Sequence, residues 1–199
     1  MQQGLLPYFG SIGMWAAWMA QGEATFVKSQ RFVRRSPQTR TTIANSHGAQ
    51  LLSLPLIGGR SQHGPLSEAQ LSYTVDWPRQ HLLSLRAAYG SAPFWQEYAA
   101  DLTALYNSKP PRLWDFNLSA LRWMAHQITP QLVFTEVETR NTDRLDTSGD
   151  RAVSDRWIFP SYPQVFSDRN PFLPNLSILD LLMCQGPAGV NYLARLPVD

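Results

Sequence analysis

His81 stands one turn before Leu85 and two before Tyr89, in a segment with helical spacing. An imidazole titrates near neutrality, so from that place it can act as general acid or base, or donate to a phosphate. The other reading is a partly buried helix histidine bonded to a neighbour. Arg34 and Arg40 belong to a basic run, Lys28, Arg31, Arg34, Arg35 and Arg40, with Phe32 inside it. A guanidinium fork binds phosphate or carboxylate bidentately. The alternative for these two is an exposed basic turn before a strand.

A third group lies in Asn170–Gly186, N-P-F-L-P-N-L-S-I-L-D-L-L-M-C-Q-G. Pro171 and Pro174 make an irregular approach to a short apolar helix. Ser177 and Asp180 hold the S-x-x-[D/E] spacing of a capping box. There the hydroxyl accepts from the third helical N–H and the carboxylate reaches back to the cap's own N–H. Asn175, Ser177 and Asp180 therefore read as a loop lock and a helix cap, and the same helix start can border a pocket for an anion. Ile178, Leu179, Leu181, Leu182 and Met183 leave little polar face, which predicts burial on most sides. Gly186 and Pro187 stop the helix. Cys184 sits inside it with no base or cation marking it as a nucleophile. A single cysteine excludes an intrachain disulfide and a CxxC zinc site. His47, His63 and His126 show no metal-ligand spacing, so no metal is expected. Neither a G-x-x-x-x-G-K-[ST] nor a G-x-G-x-x-G phosphate loop is present.

These residues must be positioned by a mixed set of elements. Gly4–Phe9 reads as a first strand, Ser11 as the cap of a helix over Ile12–Ala20, and Ala24–Val27 as a second strand. That order predicts a parallel pair, with the intervening loop where such folds hold ligands. Thr41–Ala44, Gln50–Ile57 and Gln70–Val75 follow as short strands, with a loop over Ile57–Pro65. Asp76 can cap a helix over Trp77–Tyr89, with Gly90 as its stop. Pro93–Asn107 and Arg112–Ile128 are two more amphipathic helices, and Gln131–Glu138 is a last strand. Arg140–Arg156 holds four Arg and four Asp with almost nothing apolar and reads as a solvated loop. The fold expected is α/β. A single domain over residues 1–199 would pack a mixed, largely parallel sheet from the N-terminal half against a layer of three to four helices.

Composition narrows the function classes. Hydrophobic residues make up 44% of the 199 and charged residues 16%, which excludes a disordered chain. Net charge is only +2, so nothing in the balance calls for nucleic acid. Aromatics reach 12%, enough to line a cleft suited to sugar stacking. Leu5–Ala20 is apolar but too short to span a bilayer, and Pro7, Gly10 and Gly13 interrupt it. A soluble, cytoplasmic protein is expected.

Several motifs together resemble the WbqC-like family of bacterial proteins, named from a gene of surface-polysaccharide (O-antigen) clusters. Tyr162-x-Gln-Val-Phe166, Phe172-Leu-Pro-Asn-Leu-Ser-Ile-Leu-Asp-Leu-Leu182 and Gly186-Pro187 match its most distinctive signature. Asp76-Trp77, His81, Ala88-Tyr89, Ala92-Pro93-Phe94 and Tyr98 match its D-W…H…AY…P-[YF]-[FW]…Y run, and Asp115-x-Asn117-Leu118 its D-x-N-L helix. Gln38, Arg40 and Ile43 fall where one branch reads Q-F-x-K-x-x-x-Q-N-R-x-x-I. There are departures. The H-Q-P that opens many members is absent before Leu6-Pro7-Tyr8-Phe9, and Ser29-Gln30 stands where others carry His-Glu. The family Lys is Arg34 here.

The resemblance implies a fold and a surface-polysaccharide gene context more than a reaction. With the aromatic content and the arginine pair it leads to the expectation of an enzyme of surface-polysaccharide biosynthesis, acyl or aminoacyl transfer onto a sugar being the candidate reaction. The alternative is a non-catalytic ligand-binding or accessory protein of the same fold. His81 is the catalytic candidate; Arg34, Arg40, Tyr89, Asn175 and Asp180 are the substrate-binding candidates. The ligand expected is a small molecule or nucleotide-activated sugar. No cofactor, metal or nucleic acid is expected. The transfer reading requires Arg40, His81 and the cap of the last helix to converge on one pocket. The binding reading requires a cleft without a nucleophile–base pair.

Overall fold

The structure, a computed structural model, describes residues 5–59, 64–138 and 157–196. The expected loop over residues 140–156, and His63, lie outside them. Helix α1 spans Ile12–Gln21. The Ser11 hydroxyl accepts from the Met14 N–H at its start, and Gly22 ends it in the left-handed region at φ 75°. It is apolar nearly all round because it lies inside the molecule, with Ile12, Trp15 and Ala16 buried. Over the described part of the strand expected at Gly4–Phe9, Leu5–Phe9, no strand forms. Leu5, Leu6, Tyr8 and Phe9 are buried, but as irregular chain. Pro7 has no N–H for a ladder, and Phe9 and Gly10 take φ of 60° and 78°, turning the chain directly into α1.

Strand β1 (Glu23–Val27) therefore finds its partner far along the chain. It pairs in parallel with β4 (Val133–Val137), Glu23 opposite Val133. Aromatic edges fasten α1 to this pair: Trp18 meets Phe26 at 5.6 Å and Phe134 at 6.1 Å between ring centroids, both nearly perpendicular. Strands β2 (Arg40–Asn45) and β3 (Gly48–Ser53) form an antiparallel hairpin. Gly48, at φ 115°, follows a two-residue turn at Ser46 and His47. Strand β3 stops before Pro55, and the Gln70–Val75 stretch contributes only isolated bridges, Leu71 to Leu56 and Gln70 to Arg112. The described strands thus make two two-stranded sheets, one parallel and one antiparallel, where one largely parallel sheet was expected. The class is mixed α/β.

Helices α2 (Trp77–Tyr89), α3 (Trp95–Asn107) and α4 (Leu113–Ile128) follow the hairpin. α2 packs on α3 and on β2, and α3 packs on α4. Trp77, His81, Leu85 and Tyr89 recur every four residues and are all buried on one face of α2. Asp76 makes no side-chain cap bond, and Gly90 is right-handed at φ −59°. Pro78 removes one of the donors such a cap would serve. Helix α5 (Ile178–Gln185) is buried from Ile178 to Cys184 and lies against β2 and α1, followed by the single turn α6 (Gly189–Leu193). No described helix is long and apolar enough to cross a membrane.

Candidate functional site

The starts of α1, β2 and α5 meet at one place. Ser11 and Ser177 face each other in an antiparallel bridge. The Ile12 N–H donates to the Leu176 carbonyl at 2.9 Å and the Ile178 N–H to the Gly10 carbonyl at 3.0 Å. The Ser177 N–H donates to the Thr42 carbonyl at 2.7 Å, tying α5 to β2. Asn175 adopts φ 51°, which turns its Oδ1 to accept from the Gly13 N–H at 2.8 Å. It thus locks the first turn of α1, a helix more than 150 residues upstream, as well as the approach to α5.

A cavity of about 320 Å³ opens at this junction. Its walls come from Gly10 and Ser11, from Arg35 to Pro37, from Arg40 to Thr42, from Leu51, and from Asn175 and Ser177. A second cavity of about 570 Å³ adjoins it and includes Arg34 beside Phe32, Leu54 and Leu56. Arg35 and Arg40 line both. No described residue lining either cavity is Asp, Glu, His, Lys or Cys. Among the described residues, none of the three arginines has a salt-bridge partner. Guanidinium groups gathered in a concavity with no carboxylate to neutralise them favour an anion.

The loop that carries these cations is held from behind. The Tyr8 N–H donates to the Pro37 carbonyl at 2.8 Å. Buried Asn117, on α4, donates through Nδ2 to the Gln38 carbonyl at 2.8 Å and to the Leu6 carbonyl at 3.2 Å. Gln38 Oε1 accepts from the Val33 N–H at 2.8 Å, and the Ser36 hydroxyl donates to the Val33 carbonyl at 2.7 Å. Arg35 itself sits at φ 53°. A non-glycine residue there costs on the order of 1 kcal/mol and persists only where surrounding bonds over-determine it. Phe9 and Asn175 are also left-handed, so three of the four described non-glycine residues with positive φ flank or line the first cavity.

The remaining candidates lie elsewhere. Tyr89 is fully buried, and its hydroxyl accepts from the Ala44 N–H at 3.3 Å. Asp180 is also fully buried. Its Oδ2 accepts from the Tyr162 hydroxyl at 2.6 Å and from Gln164 Nε2 at 3.0 Å. The expected capping box is therefore not made. The Ser177 N–H is taken by Thr42, and the Asp180 carboxyl holds the Tyr162–Gln164 segment instead. Ser177 still caps, accepting from the Leu179 N–H at 3.4 Å. Burial raises the Asp180 pKa above the ordinary carboxylate value, partly offset by bonds from Tyr162, Gln164 and Tyr89. Burial also pushes the Cys184 thiol well up, with Asp180 adding to the effect, so no thiolate forms near neutrality.

His81 lines neither cavity. Its Nδ1 bonds the Tyr8 hydroxyl at 3.0 Å, and Tyr8 in turn bonds the Tyr106 hydroxyl. With the proton on Nε2, the arrangement that satisfies all three has Tyr106 donating to Tyr8 and Tyr8 donating to Nδ1. Trp77 and Phe116 close around them. Burial lowers the His81 pKa to about 4, so the ring is neutral and a weak base near pH 7. The structure brings Arg34, Arg40, Asn175 and Ser177 to the two adjoining cavities and does not bring His81 there.

A protein-family model described as the WbqC-like protein family matches residues 2–154. The chain belongs to that family. No curated protein and no solved structure matches it. Within this WbqC-like chain the match spans Arg34, Arg35, Arg40, His81 and Asn117, while Asn175, Ser177 and Asp180 lie beyond it. Sequence reasoning passed over Arg35 as a site residue and Asn117 as its support. For Arg35 the available signal was the Ser36-Pro37 pair that follows it, a turn marker. Asn117 offered only its place in the D-x-N-L motif. Among the described residues no cluster of His, Cys, Asp or Glu could hold a metal ion.

Proposed function

We propose that this WbqC-like protein binds the phosphate or carboxylate of a small ligand between Arg35 and Arg40, within the assembly of surface polysaccharide. One observation carries the reading: two guanidinium groups stand on the shared wall of two cavities whose described linings hold no carboxylate. Each bidentate charge-assisted contact is worth about 1.5–3 kcal/mol, so a pair supports a specific anion site. The same linings offer no described nucleophile–base pair, which favours a ligand-binding or accessory role.

Acyl or aminoacyl transfer onto a sugar is the second reading. It draws support from two cavities that adjoin on the same arginines, room for a donor and an acceptor side by side. It needs a base from outside the described linings, or from the ligand itself. His81, the expected catalytic residue, is bonded to the fully buried Tyr8 and lines neither cavity, so it does not supply that base. The surface-polysaccharide setting comes from the family resemblance alone.

The test is an equilibrium titration of the full chain with glucose 1-phosphate, for wild type and Arg40→Ala. The reading expects saturable binding weakened about tenfold or more by the substitution, equivalent to one lost charge-assisted contact. Equal affinity in both proteins, or no binding at millimolar ester, would remove it.

A further inference from the structure

The two cavities are chemically unlike, and their difference defines the shape of one ligand. The first is lined largely by short polar residues, among them Ser36, Thr42 and Asn175, with Thr42 on the same face of β2 as Arg40. Such a lining matches a polyhydroxyl group, whose many donors and acceptors need partners. The second presents Phe32, Leu54 and Leu56 beside the Arg34 guanidinium. An apolar wall next to a planar cation suits a flat ring, stacked on the guanidinium and shielded from water by the aliphatic groups. Between them stand Arg35 and Arg40, the groups common to both. At about 320 and 570 Å³ the cavities are each of the size that holds a ring system.

We infer that the cleft takes a nucleoside diphosphate hexose in one orientation: diphosphate on Arg35 and Arg40, base against Phe32, Leu54 and Leu56, and hexose in the cavity lined by Ser36, Thr42 and Asn175. This inference rests on the anion-binding reading above and adds the chemistry of both ends. A diphosphate bridge suits this arrangement, because Arg35 and Arg40 line both cavities. A mononucleotide or a hexose phosphate would fill one side only.

The experiment titrates the full chain with inorganic diphosphate, with glucose 1-phosphate, with the diphosphates of uridine, guanosine and adenosine, and with their glucose esters. The best glucose ester should bind about tenfold or more tighter than its own nucleoside diphosphate, and that diphosphate tighter than inorganic diphosphate by a similar factor. Two wall positions separate the ends, the partly buried Leu56 and the exposed Leu51. Leu56→Trp should weaken the nucleoside diphosphates about tenfold and leave glucose 1-phosphate within about twofold; Leu51→Trp should do the reverse. If every nucleoside diphosphate and its ester bind no tighter than inorganic diphosphate, this inference is overturned and the anion site stands. Glucose ester binding that neither tryptophan alters overturns it too. If inorganic diphosphate itself does not bind, both readings fall.

Discussion

Asn117 donates its side-chain amide to the Gln38 carbonyl at 2.8 Å, two residues before Arg40. The same amide reaches the Leu6 carbonyl at 3.2 Å, so one buried side chain on α4 ties the cation-bearing loop to the N-terminal segment beside it. Asn117→Leu keeps the volume and deletes the donor. Two buried carbonyls then lose a partner, each worth about 1–3 kcal/mol. Urea unfolding should show a loss of about 2–4 kcal/mol. Diphosphate affinity should fall with it, although Asn117 touches no cavity. Unchanged stability would show that other bonds already hold the loop.

His81 supplies a pH dependence whose sign is fixed by burial. Its folded pKa, about 4, lies below the ordinary 6.5, so the unfolded chain binds the proton more readily. The stabilisation is complete above pH 6.5 and is lost as pH falls toward 4. That shift is worth roughly 3 kcal/mol across the window. His81→Phe keeps a ring among Tyr8, Trp77 and Tyr106 and removes the titration. The difference in unfolding free energy between variant and wild type should therefore change by roughly that amount between pH 7 and pH 4. A difference independent of pH would place the imidazole in water.

Asp180 works in the opposite direction. Its folded pKa is raised by burial, so its stabilisation is present below the unfolded value of 3.8 and is lost as pH rises through the folded value. Asp180→Asn keeps an oxygen for Tyr162 and Gln164 and removes the buried charge. It should be more stable than wild type at neutral pH and lose that advantage in acid. Thermal melts at several pH values check this; a variant less stable at every pH would mean that the carboxylate is needed as such.

Gly186 ends α5 at φ 57°, and a Cβ built there would run into the Phe94 ring. The backbone N–H of Phe94 donates to the Met183 carbonyl at 3.2 Å, which limits how far that ring can retreat. Gly186→Ala should cost about 1–3 kcal/mol through strain and overpacking. A neutral result in denaturant unfolding would show that the ring moves freely.

Local chemistry in the sequence was enough for the parts that depend on neighbours. Ser11 and Ser177 could be read as helix caps and Trp77–Tyr89 from its spacing, because those patterns are local; the expected Asp76 cap is not made. Pairing was not legible. Nothing near Glu23 announces Val133, and the parallel partner was sought instead in Gly4–Phe9, whose Pro7 denies a ladder. Asp180 was misread for a related reason. Its spacing from Ser177 satisfies a local motif, but Tyr162 and Gln164 sit two apart on extended chain and offer two donors on one side. Arg40 and the cap of the last helix were expected on one pocket together with His81; the Thr42–Ser177 bond draws the first two to one cavity, while the Tyr8 bond holds His81 away from it.

The central claim is that Arg35 and Arg40 form one anion site. The direct measurement is calorimetric titration of inorganic diphosphate into wild type, Arg35→Ala, Arg40→Ala and Arg112→Ala, the last an exposed arginine that lines neither cavity. The account predicts saturable wild-type binding, about tenfold or greater weakening in each of the first two variants, and wild-type affinity in Arg112→Ala. Equal affinity in all four proteins would contradict it.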